Sequence, residues 1–186
     1  MHIVLFLTLL SCTGQELPDI DFQIRTALLA APEHQREAAT VMGYASASEL
    51  TVIKEGRNDF ICIADNPSKE GFSVAAYHKR LEPFMSRGRE LKKQGMNPKE
   101  VFDAREEEVK AGTLDMPDRA TLYVTTGTLN EETNELEDLY TRFVVYIPYA
   151  TEESTGLPLS PGTPGAPWIM DPGTHRAHIM INPPKN

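Results

Sequence analysis

Two segments, residues 121–127 (TLYVTTG) and 140–149 (YTRFVVYIPY), are the most strand-like in this 186-residue chain. β-branched and aromatic side chains dominate both, and such residues fit a pleated, half-buried surface. Between them, residues 130–138 carry five carboxylates, Glu131, Glu132, Glu135, Glu137 and Asp138. That stretch is too charged for a core and reads as the solvated tip of a hairpin. It lacks EF-hand spacing, so it reads as an acidic loop and not as a calcium site. Pro148 ends the second strand or marks a sheet edge.

Three shorter runs, 39–45 (ATVMGYA), 49–55 (ELTVIKE) and 59–64 (DFICIA), have the same bias and are separated by Ser46-Ala47-Ser48 and Gly56-Arg57-Asn58. Connections this short predict an antiparallel meander. The third run is apolar on both faces and is expected to be central. Residues 72–77 (FSVAAY) fit either a fourth strand or the start of a helix.

Helices are punctuated more clearly. Ile20, Ile24, Ala27 and Leu28 share one face of a helix over 19–31, with Asp19 or Asp21 as cap and Pro32 as stop. Pro83 opens a helix that runs to Gln94 and stops at Gly95. Asn97 caps the next, with Pro98 in its first turn and Gly112 after its end. A long Pro- and Gly-rich excursion follows residue 149 and returns at Trp168, before a last strand over 177–181. The expected fold class is α+β: an antiparallel sheet of about five to six strands with helices packed on one side.

The first residues, MHIVLFLTLLSCTG, contain an apolar run of secretory h-region length, far short of the ~20 residues that span a bilayer. Two processing routes fit. A soluble product would begin at Gln15, whereas a lipobox reading of Leu9-Leu10-Ser11-Cys12 would lipidate Cys12. The domain reading is therefore a leader over 1–14, or one ending before Cys12, and a single domain over 15–186 in an extracytoplasmic compartment. No transmembrane span is expected in the mature chain, with membrane attachment only through Cys12. A net charge of −9 argues against a nucleic-acid partner. Cys62, in the apolar run Phe60-Ile61-Cys62-Ile63, reads as a small hydrophobe.

No G-x-G-x-x-G, P-loop, G-x-S-x-G, H-E-x-x-H or C-x-x-C motif is present. Two constellations remain. Asp171, His175 and His178, with His78 as a remote fourth member, have the side chains that hold a divalent metal. Against this, the alternation of a strand puts His178 on a face shared with Arg176, so His175 would have to join it from a turn. From Lys79 to Lys93 there are six basic residues and two acidic ones. Arginines there suit an anionic ligand, or they form a solvated face paired with the acidic loop. Trp168, Tyr123, Tyr146 and Phe143 are candidates to line an apolar pocket.

Residues 72–91 (FSVAAYHKRLEPFMSRGREL) and 167–181 (PWIMDPGTHRAHIMI) resemble an uncharacterised group of exported bacterial proteins of unknown function. The resemblance implies a bacterial, extracytoplasmic protein and carries no catalytic residue across. Two functions are expected to compete. The first is a non-enzymatic domain that binds a small molecule or protein partner through His78, Arg80, Arg87, Trp168 and Arg176, with no cofactor. The alternative is a metal-dependent hydrolase using His78, Asp171, His175 and His178, with a divalent metal as its cofactor.

Overall fold

A computed structural model describes residues 17–130 and 132–185. The leader over 1–14, Cys12 and both processing points lie outside the described residues. The fold is mixed α and β, with five helices and a single sheet of eight strands among the described residues.

The helices follow their caps. α1 (Ile20–Ala27) starts where the Asp19 carboxylate accepts the Phe22 N–H at 2.8 Å, and a 3₁₀ turn (Leu28–Ala30) carries it toward Pro32. α2 (Glu33–Arg36) is a single turn. α3 (Glu82–Lys93) has Pro83 in its first turn. α4 (Pro98–Lys110) carries a complete capping box: Asn97 receives the Lys99 and Glu100 N–H groups, while the Glu100 carboxylate receives that of Asn97. α5 (Glu152–Thr155) is again one turn.

The strands are β1 (Thr40–Ser46), β2 (Glu49–Lys54), β3 (Phe60–Ile63), β4 (Phe72–His78), β5 (Ala120–Asn130), β6 (Glu135–Tyr146), β7 (Trp168–Met170) and β8 (His178–Ile181). Their order across the sheet is β2-β1-β3-β4-β5-β6-β8-β7. β5 and β6 form the expected hairpin with a narrower tip, because Glu135 and Glu137 belong to the strand itself. Residues 72–77 lie in β4, antiparallel to both β3 and β5.

The first three strands do not form a meander. β3 lies on the far side of β1 from β2 and runs parallel to β1. The cause lies in the connection: the Arg57 and Asn58 N–H groups both donate to Ala38 O, pulling the chain across the start of β1. Gly56 permits this approach, since a Cβ there would sit 2.2 Å from Thr40 N.

Strand alternation divides the core in two, so the helices cover opposite faces and not one side as expected. Phe72, Val74 and Ala76 of β4 point with Val41 and Cys62 toward the α1 end, against Ala27 and Ala30. Tyr77, one residue on, points to the other face with Leu122, Val144, Tyr146 and Met180, against Leu81 and Phe84 at the start of α3. Cys62 is fully buried, and burial pushes its thiol up to about 12, so it stays protonated and serves as packing.

Candidate functional site

The second core carries the unusual chemistry, where the turn between β7 and β8 meets α3 and α4. The turn, Asp171-Pro172-Gly173-Thr174, is bent by left-handed backbone at Asp171 (φ 49°) and Gly173 (φ 75°). Thr174 Oγ1 donates to Asp171 O at 2.8 Å and receives the Arg176 N–H at 3.1 Å. Bonds from Gly173 N to Ala150 O and from Tyr149 N to Thr174 O brace it against the chain leaving β6. The result sends His175 inward and Arg176 across the surface.

His175 is fully buried between Phe84 of α3 and Phe102 of α4, with ring centroids 5.4 and 4.8 Å away. Glu106 of α4 accepts its backbone N–H at 2.8 Å and lies in hydrogen-bond contact with Nδ1. A carboxylate there requires a hydrogen on Nδ1, so the neutral ring presents a bare Nε2, and that atom is buried without a partner. Burial lowers the affinity of the ring for a second proton; the Glu106 charge opposes this, and the Arg105 and Arg176 charges add to it. Partial burial acts to raise the Glu106 carboxyl. Hydrogen bonds from Lys110, at 2.6 Å, and from His175 outweigh it and hold the group below its usual range.

Arg105, the neighbour of Glu106 on α4, is 9% exposed. Its guanidinium lies 3.9 Å from the Phe84 ring centroid, and Nη1 donates to Phe84 O at 3.3 Å. Gly88 makes room for it: a Cβ there would stand 2.9 Å from Nη1. Nε has no partner, and among the described residues no carboxylate lies within ion-pair distance. Glu108 acts on it only at a distance, because Arg87 occupies both oxygens of that carboxylate at 2.6 to 3.0 Å. Burial, with Arg176 adding to it, pushes the Arg105 guanidinium down to about 10 against the opposing pull of Tyr146 and Glu108.

Arg176 reaches back to Asp171 through Nε at 2.7 Å and lies 5.1 Å from the Phe102 ring centroid. His178 donates from Nδ1 to Arg176 O at 2.7 Å and packs 5.4 Å from Tyr146. Burial pushes the Tyr146 phenol up, while the Arg105 and Arg176 charges both draw it down. Trp168 packs on this core, and its indole N–H is buried without an acceptor.

The residues expected to form a site divide sharply. Trp168, Arg176, Asp171, His175 and His178 all reach this region. His78 does not: it follows Tyr77 by one residue, faces the opposite side of the sheet beside Phe60, and pairs with Asp59 at 3.7 Å. Arg80 is exposed next to it, its N–H donating to His78 Nδ1 at 3.2 Å. Arg87 is held by Glu108 of α4 and Glu90 of its own helix, and Arg89 by Glu82, so these basic residues pair with carboxylates of α3 and α4 and not with the acidic tip. Tyr123 and Phe143 face each other on the other side of the sheet from Tyr146. Asp171 and His178 bond Arg176, at its Nε and its backbone O, while His175 bonds Glu106, and among the described residues no group of three or more His, Cys, Asp or Glu is placed to hold a metal.

Hollows among the described residues lie elsewhere. One of about 780 Å³ lies between the β5–β6 hairpin and residues 183–185, where the Tyr140 hydroxyl donates to Pro183 O. Another of about 610 Å³ lies beside α1, where Gln23 makes three hydrogen bonds. No family model, curated protein or solved structure matches the chain, so its function is read from the chemistry of these side chains.

Proposed function

We propose that this protein is a non-enzymatic, extracytoplasmic domain that seats a small ligand where α3, α4 and the turn at 171–178 meet. One observation carries the reading. Four buried side-chain polar atoms lack a partner among the described residues, and three of them, Arg105 Nε, Trp168 Nε1 and His175 Nε2, lie against the same Phe84–Tyr146 core. Native proteins pair roughly nine in ten such groups or more, so a local concentration of exceptions marks a place built to receive something. Arg105, Tyr146 and His178 are each more than nine-tenths buried, which admits a small group and not a protein face. The secretory character of residues 1–14 supports the compartment.

Trp168 is the only tryptophan and reports on this core. A library of small molecules screened by thermal shift is expected to yield one that raises Tm by about 5–10 °C at a hundredfold excess over Kd. The same compound should change Trp168 emission. Stabilising compounds that leave Trp168 emission unchanged would place binding elsewhere and contradict the assignment.

A further inference from the structure

Resting on that reading, we infer that the ligand is an oxyanion, a carboxylate or phosphoryl group taken between the guanidinium groups of Arg105 and Arg176. A buried cation is ordinarily paired, because removing charge from water is costly. Here every nearby carboxylate is committed elsewhere: Glu108 to Arg87, Glu106 to His175 and Lys110, and Asp171 to the Nε of Arg176. Among the described residues, the buried charge of Arg105 is left without a carboxylate partner.

The positive field extends beyond Arg105. Arg176 acts on Arg105, and both act on the Tyr146 phenol. The Lys92 ammonium is pushed down, first by partial burial and then by the Lys69, Arg105 and Arg176 charges. Both guanidinium groups lie against phenylalanine rings, Arg105 on Phe84 and Arg176 on Phe102, and are held in place before a ligand arrives. A planar fork of N–H donors matches the two oxygens of a carboxylate or phosphoryl group. His175 acts here as a positioning residue: its bonds to Glu106 fix the turn that carries Arg176.

The test titrates the full chain with acetate, succinate, phosphate and sulfate at constant ionic strength, with chloride as the control, following Trp168 emission and Tm. Neutral sugars and amines run in parallel. The first two anions probe the carboxylate source and the last two the tetrahedral one. A saturable response to one anion class is expected, weakened at least tenfold in Arg176→Gln and in Arg105→Met. Far-UV circular dichroism checks each fold; if Arg105→Met fails to fold, Arg176→Gln, altered at a partly exposed side chain, decides alone. Anion binding unchanged in Arg176→Gln would overturn the inference. A Trp168 response to neutral or cationic compounds but to no anion would overturn the ligand class and leave the seat standing. No response to any compound would remove both.

Discussion

Glu106→Ala is expected to be the most damaging single substitution in this region, lowering stability by about 3 kcal/mol. One carboxylate oxygen receives both the backbone N–H and the Nδ1–H of His175, and the other takes Lys110. Truncation would leave two donors unpaired on a fully buried residue, and a buried donor without an acceptor loses its whole hydration. The anchor of the turn at 171–178 on α4 would go with it. Urea unfolding measures the effect, with Glu90→Ala as the reference. Glu90 is paired with Arg87 but is 58% exposed, so its loss should cost within about 0.5 kcal/mol. Equal midpoints for the two variants would mean that the Glu106–His175 contact contributes nothing special.

Acid should weaken the fold well above the carboxylate range. His175 and His178 are both held below the ordinary histidine value, in each case first by burial. The unfolded chain titrates near pH 6.5. Stability is therefore full above about pH 6.5 and falls below it, as the unfolded state takes up protons that the native state refuses. The slope reaches about 1.4 kcal/mol per pH unit for each histidine. A separate loss comes at lower pH. The Arg87 hydrogen bond holds Glu108 below its usual value, and Lys110 and His175 outweigh burial to do the same for Glu106. Both carboxylates contribute stability above about pH 4.5, lost as pH falls through their native values. Unfolding free energy measured from pH 8 to 5 should decline in the wild type, and His178→Phe should remove one histidine's share. A flat profile over that range would show that the two imidazoles are not held neutral.

Local signals were legible wherever one residue decides a backbone event. Asn97 and Pro98 announce the start of α4, and the β-branched runs about the acidic tip announce β5 and β6. Sheet order was not legible, because it turns on how residues 55–59 cross the start of β1, and a close backbone approach at Gly56 leaves no periodic trace. The same limit applies to the site. Trp168, His175 and Arg176 stood out by residue type and punctuation. His78 was grouped with them for its chemistry, while strand alternation puts it on the other face from Tyr77. Arg105 and Glu106 sit in a charge-rich helix, where residue type alone sets neither apart. The available clue was spacing: Phe102, Arg105, Glu106 and Val109 fall at i, i+3, i+4 and i+7, which places two charges on an apolar stripe.

Arg105 is proposed to be a buried cation kept for a ligand. A crystal structure of the protein grown with selenate or tungstate, examined for anomalous scattering, tests it most directly. An anion is expected within hydrogen-bond distance of both Arg105 and Arg176, with Asp171 still holding the Nε of Arg176. Water alone between the two guanidinium groups, with the heavy anion bound elsewhere or nowhere, would contradict it.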